Sequence, residues 1–326
     1  MMKSGTAVKN DSKQGFNFKD FMIKFSRAGA LLLLCLGISL LNPNFLKLTN
    51  LVNVLRTASP QIIIAFGMTI VMLTGGIDLS LGSAVTLTSV IAGYFLTQTD
   101  LPWIVAIIAS LATGAISGLI IGLLISVIKL PPAVASYGML WVDRGLAFAI
   151  MGAKPFFDFH EDFRYLGRGV LLGIPVPIWI VSVLSIVLML ILKFTTLGRN
   201  FFALGSNPHA ARASGLTVKK TLLWAFILSG LLAATGGIIL AARLNAVDQD
   251  LGVAYLLPAI ASPVMGGTSM TGGQGGIGGT IIGSLIMIVV SNGMNLVGIS
   301  SLWQQFVIGI VVILAVWFDV LLRKKS

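Results

Sequence analysis

Few residues in this sequence could act on a reacting atom, and their placement narrows the options further. Only two histidines occur, His160 and His209, in loops on opposite sides of a strongly apolar region. That removes paired-histidine metal sites and speaks against a Ser-His-Asp hydrolase. The single cysteine, Cys35, excludes an intrachain disulfide and any multi-cysteine metal site. The dipeptide Gly-Lys is absent, so the glycine-rich loop that cradles nucleotide phosphates cannot be built. Neither an enzyme nor a cofactor in this chain is expected. What remains is one acid with a hydroxyl, Asp78 and Ser80 inside one glycine-rich break, and a set of neutral polar groups: Asn292 and Asn295 three apart on one helical face, and Trp303, Gln304 and Gln305 at the start of the last apolar run. Amide, hydroxyl and aromatic groups of this kind suit a pathway for an uncharged polyhydroxylated solute. The competing role for the asparagines is interhelical hydrogen bonding, worth about 0.6–2 kcal/mol each.

The elements that must position these residues are set by composition. Of 326 residues 56% are hydrophobic and 10% charged, with a mean hydropathy of +0.97. A water-soluble fold needs about a quarter of its residues charged, so the chain belongs in a bilayer. Ten apolar segments are expected, near 28–41, 60–75, 79–97, 101–128, 133–152, 176–194, 221–242, 253–267, 277–298 and 302–321. The fold class is therefore all-α, a polytopic membrane protein of about ten transmembrane helices with broken or re-entrant segments. The net charge of +11 would point to nucleic acid in a soluble protein, but the basic residues cluster beside apolar runs. They stand at Lys3, Lys9, Lys13, Lys19, Lys24 and Arg27, at Arg199, Arg212, Lys219 and Lys220, and at Arg323, Lys324 and Lys325. The positive-inside rule then places both termini and the 195–220 loop in the cytoplasm. Residues 1–27 and 323–326 are basic cytoplasmic tails around a membrane domain at 28–322.

Asp143 and Arg144 fall inside the fifth segment, where an unpaired charge costs about 2.5–3.5 kcal/mol. Neighbours in sequence point apart on a helix, so each is expected to find a partner on another segment. Asp78 and Asp143 are the only acids placed for the membrane interior, fewer than ion-coupled transport usually employs. Two breaks interrupt the apolar pattern, at 74–83 and 266–276, as discontinuous helices or interfacial turns. Glycines at 114, 118 and 122, and at 275, 279 and 283, recur at four-residue spacing, which brings helix backbones together. In the 195–220 loop, Asn207 can cap a short helix, Pro208 fits its first position and Gly215 can end it. A capped helix in such a loop is expected to be a docking element for a cytosolic partner, the alternative being a solvated surface turn.

Five ordered motifs carry a family resemblance: Gly75-Gly76-Ile77-Asp78-Leu79-Ser80-Leu81-Gly82-Ser83; Leu197-Gly198-Arg199-Asn200 with Ala203-Leu204-Gly205-Ser206-Asn207; Ala213-Ser214-Gly215-Leu216; Gly266-Gly267-Thr268-Ser269; and Ser291-Asn292-Gly293-Met294-Asn295-Leu296. Together they resemble the ribose-type sugar permeases of bacterial ATP-binding-cassette importers, from about Asn42 to Trp317. The resemblance implies a permease subunit of the inner membrane that passes a monosaccharide by alternating access. Two permease chains would form the pore, a periplasmic or extracellular binding protein would deliver sugar, and a cytosolic ATPase holding ATP and Mg would drive the cycle. Gly198, Arg199, Asn207, Pro208, Ala211, Arg212, Ser214 and Gly215 would couple to that ATPase, and the polar residues from Asp78 to Gln305 named above would line the path. Ion-coupled secondary transport of a small polar solute is the alternative. One motif departs: where family members often carry Tyr-Glu-Leu-Asp, this chain has Tyr255-Leu256-Leu257-Pro258.

Overall fold

The computed structural model describes residues 18–152 and 154–324. Lys3, Lys9, Lys13 and Lys325, counted above among the basic clusters, lie outside them. The described residues form thirteen α-helices with two small two-stranded ladders. Ten are the long elements expected from the apolar segments: α1 (Phe18–Leu41), α2 (Leu48–Leu73), α3 (Leu81–Gln98), α4 (Trp103–Ser126), α5 (Pro132–Met151), α7 (Val176–Phe194), α10 (Val218–Leu244), α11 (Val253–Met265), α12 (Ile277–Leu296) and α13 (Gln304–Lys324). Three are short: α6 (Glu161–Arg168), α8 (Thr196–Ser206) and α9 (Pro208–Ala213). Among the described residues α2, α4, α7, α10 and α12 are each long and apolar enough to cross a bilayer. The others carry charges, run short, or trade apolar residues for small and hydroxylated ones.

Two helices begin earlier than the apolar pattern expects. α1 starts at Phe18 and takes in Lys19, Lys24 and Arg27, because charged residues propagate a helix without making it apolar. α2 starts at Leu48 and runs through Asn50, Asn53, Arg56 and Pro60 before its apolar half. Pro60 forfeits one intrahelical hydrogen bond, yet it is buried among neighbouring helices that hold the segment in place.

The architecture turns on α10. It packs against α2, α3 and α4, while α2 packs against α10, α11 and α12. α2 runs toward the end of the bundle where α8 lies and α10 starts from it, so the segments α2–α5 and α10–α13 form two halves of opposite direction, each lending its first helix to the other. α10 presents a glycine to each partner. A Cβ on Gly230 would overlap the Gly114 carbonyl of α4, one on Gly236 would press on the Ile64 side chain of α2, and one on Gly237 would lie 2.8 Å from the Val85 carbonyl of α3. Gly118 and Gly122 continue the α4 seam against Phe226 and Leu223, so this expected trio is a packing face. The second trio is corrected. Gly279 and Gly283 lie against Gly266 and Ser262, but Gly275 precedes α12 in a non-helical conformation with φ +138°, because the run of glycines ahead of Ile277 does not hold a helix.

Hydroxyls tie the same contacts. Thr69 of α2 and Thr280 of α12 share a 2.7 Å hydrogen bond, and Ser110 of α4 donates to the Thr88 carbonyl of α3 at 2.8 Å. Asp78, 3% exposed, accepts the Ser80 amide at 3.0 Å, the Ser80 hydroxyl, and the Ser229 hydroxyl of α10 at 3.0 Å. It stands ahead of the α3 N-terminus, where the helix dipole favours a negative group. Asp143 is fully buried and accepts from Ser117 of α4 at 2.9 Å, while Arg144 donates to Asp250 at 2.7 Å. Both therefore find partners on other segments, as their adjacency requires.

Two outcomes follow for stability. Gly118→Leu forces α4 away from the Phe226 backbone and is expected to destabilise the folded chain by about 3 kcal/mol or more, with loss of the monodisperse peak in detergent size-exclusion chromatography. Asp78→Ala leaves the Ser80 amide and Ser229 hydroxyl without their acceptor and is expected to cost about 1–3 kcal/mol in thermal unfolding, Asp78→Asn less, because one acceptor oxygen survives.

Candidate functional site

The connection between α7 and α10 is built as two short helices at one end of the bundle. Thr195 caps α8 by accepting the Gly198 amide on its hydroxyl at 3.2 Å. Gly198 is buried, and a Cβ there would strike the Ile191 and Leu192 backbone, so glycine lets α8 turn closely against the end of α7. Asn207 ends α8 and caps α9: its Oδ1 accepts the amides of His209 and Ala210 at 3.0 Å each. Pro208 takes the first position, where no amide hydrogen is needed. After Ala213 the chain leaves the helix through Gly215 at φ +84°, with the Leu216 amide returned to the Ala211 carbonyl at 3.0 Å. Ala211 is the one buried residue of α9. Arg199, Asn207, Pro208, Arg212, Ser214 and Gly215 are exposed. Between α8 and the start of α10 lies a cavity of about 700 Å³, lined by Arg199, Asn200, Ser214, Gly215, Lys220 and Trp224 among others.

The inner side of α8 meets both sequence breaks at one point. A Cβ on Gly205 would overlap the Leu73 carbonyl, the last residue of α2, and the Gly273 amide of the 266–276 connection. The Gly273 amide donates to that Leu73 carbonyl at 3.0 Å, and a Cβ on Gly272 would sit 2.8–2.9 Å from Gly205 and Gly75. The four glycines permit backbone contact among three segments far apart in sequence. Arg27 of α1 joins the same end by donating to the Gly266 carbonyl at 2.7 Å. Neither break lies within a helix. Each links two successive helices, and the second follows α11, which at thirteen residues is about 20 Å long and does not cross a 30 Å hydrocarbon layer unaided.

The other expected site residues fall into two places. Asp78 and Ser80 are buried near the α8 end and hydrogen-bonded to protein groups. Asn292, Asn295, Trp303, Gln304 and Gln305 gather at the opposite end, around the α12–α13 turn. Asn292 exchanges two amide hydrogen bonds of 3.1 Å with Asn50 of α2, and Gln304 donates to Asn295 at 2.6 Å. Trp303 is 59% exposed and packs edge-on to Phe306 at 5.8 Å. Gln305 is exposed. Tyr255 and Leu256, in the departing motif, pack against the core, and Pro258 is buried within α11. Gly205 carries the meeting point, yet spacing alone does not single it out, since its role depends on two remote backbones. The described residues contain no group of three or more His, Cys, Asp or Glu placed to hold a metal ion.

Comparison with known proteins shows the family. A family model described as branched-chain amino acid transport system / permease component matches residues 50–316. The chain is 38% identical to the ribose import permease protein RbsC of Haemophilus influenzae over 98% of its length and 99% of that protein. It is 38% identical to the probable ABC transporter permease protein YphD of Escherichia coli, covering 90% and 88% of the two chains, and 33% identical to the D-allose transport system permease protein AlsC of Escherichia coli, covering 98% and 99%. No solved structure matches it. The match across nearly the whole chain, with the interlocked helices and the α8–α9 loop inside the matched region, makes this protein a member of that permease family.

Proposed function

We propose that the chain is the membrane subunit of an ATP-binding-cassette importer for a simple sugar, ribose or a relative such as allose. The observation that carries this function is the α8–α9 loop, whose exposed side faces outward while its inner side rests on both broken spans through Gly205. The ribose import permeases of Haemophilus influenzae and Bacillus subtilis and the D-allose transport system permease of Escherichia coli match this chain along almost their full length.

Force from a partner ATPase enters at α9. Asn207, Pro208, Arg212, Ser214 and Gly215 present a rigid capped turn, Arg199 and Lys220 flank the adjoining cavity, and Ala211 and Gly198 seat the two helices on the bundle. A push on α8 moves the ends of α2 and α12 together, because Leu73, Gly205 and Gly273 touch through backbone that has no slack. The hydrolysis of ATP, with its Mg, belongs to that partner, and a binding protein presents sugar at the opposite end beside Asn295, Trp303, Gln304 and Gln305. Arg27, Arg199, Arg212, Lys219 and Lys220 all belong to the α8 end, which the positive-inside rule makes cytoplasmic together with both termini.

Arg212→Glu is expected to lower uptake of labelled ribose about tenfold or more, with membrane insertion and yield unchanged, since its side chain is exposed; Gly215→Trp, strained at φ +84°, is expected to lower uptake by distorting the turn that ends α9. Gly205→Ala is expected to abolish uptake and to lower the thermal stability of the purified chain, because its Cβ overlaps the Leu73 carbonyl and pushes α8 off the bundle. In cells depleted of ATP but holding an imposed proton or sodium gradient, uptake should cease; full uptake there would overturn ATPase coupling.

A further inference from the structure

On α5, an ion pair stands on a face that the described residues leave open. Arg144 donates to Asp250, in the connection ahead of α11, at 2.7 Å, and the two side chains remain 34% and 54% exposed. Trp141 precedes Arg144 by about one turn and Phe148 follows it, with the guanidinium carbon 5.9 and 5.8 Å from their ring centroids. Trp141, Arg144, Gly145 and Phe148 line an open recess of about 450 Å³ on one face of α5, with Asp250 at its edge through Arg144. At Gly145 a Cβ would meet nothing within 4 Å, so packing within the chain does not require glycine there. A glycine inside a helix destabilises it by roughly 0.5–1 kcal/mol relative to alanine, which leaves the recess as its visible consequence. Arg144 lies about 18 Å along α5 from Pro132 and about 10 Å short of Met151, toward the end away from α8. Lipid is a poor neighbour for a half-exposed ion pair at that depth.

We propose that this recess is a monosaccharide-binding station on the translocation path, an inference that rests on the importer function above and names where the solute is held. A sugar ring has a face of C–H bonds and a rim of hydroxyls. The indole face of Trp141 carries the negative side of its quadrupole toward those C–H bonds. The guanidinium of Arg144 offers donors in a planar fork that spans two adjacent hydroxyl oxygens, and the Asp250 carboxylate has acceptor positions beyond the one Arg144 fills. The pair is neutral in sum, so the station suits an uncharged polyol and gives a lone ion little advantage. Asp250 is supplied by the connection to α11 and Arg144 by α5, so relative movement of the two halves would open or close the hydroxyl-binding side.

The test uses the complete importer, this chain with its ATPase and binding protein, reconstituted in liposomes and supplied with labelled ribose and labelled allose. Trp141→Leu and Asp250→Asn are each expected to reduce uptake about tenfold, with Trp141→Tyr retaining most of it because an aromatic face remains. Asp250→Asn is also expected to change the ratio of ribose to allose uptake, which a merely structural pair would not do. Unchanged uptake in Trp141→Leu and Asp250→Asn overturns the station. Equal losses in Trp141→Tyr and Trp141→Leu, with failure of the permease chains to copurify as an assembled pair, assign the face to contact between copies and also overturn it. Absence of monosaccharide uptake by the unaltered importer would instead strike the importer function itself, and is seen before any variant is compared.

Discussion

Backbone-to-backbone approach without intervening side chains is the constraint on which this protein depends. Lipid is as apolar as leucine, so burying apolar residues between helices gives little advantage, and association rests on close packing and internal hydrogen bonds. α10 meets that demand on three sides, with Gly230 toward α4, Gly236 toward α2 and Gly237 toward α3. A helix serving three neighbours at once has no room for a broad apolar stripe. Its small residues lie all round it, and the polar groups near the crossing, Ser229 and Asp78, are paired with each other.

The same economy at the α8 end has a mechanical consequence. A contact between side chains can absorb a small displacement by changing rotamer, whereas a contact between glycine backbones cannot. Leu73, Gly205, Gly272 and Gly273 therefore connect the loop rigidly to the end of α2 and the start of α12. Since α2 belongs to one half of the fold and packs within the other, a displacement applied at α8 reaches both halves. Opposite-direction halves that exchange their first helices suit alternating access, in which one half rocks against the other.

Polar residues of the bundle divide by whether they are enclosed by neighbouring helices or keep surface exposed. Asp78 accepts from Ser80 of its own segment and from Ser229 of α10, and Asn292 pairs with Asn50 of α2. Gln305 and Trp303 at the far end, and Arg144 with Asp250 on the open face of α5, keep polar or aromatic surface exposed. A solute with many hydroxyls needs the second kind. The first kind keeps the helices close-packed.

Much was legible before any coordinates. Apolar runs between basic clusters gave the ten long helices and the class of fold, because membrane thickness sets helix length and lipid excludes charge. The Asn207-Pro208 pair and Gly215 gave α9 to within a residue, since capping and positive φ are local chemistry. The starts of α1 and α2 were less legible: charged residues such as Lys24 propagate a helix, and α2 runs through Pro60 because buried neighbours hold it, neither of which an apolar window registers. What the tertiary structure alone decided is partnership. That Gly205 meets Leu73 and Gly273, that Asp78 answers Ser229, and that Arg144 reaches Asp250 all depend on how distant segments cross, and crossing geometry is a property of packed helices rather than of any one stretch of chain.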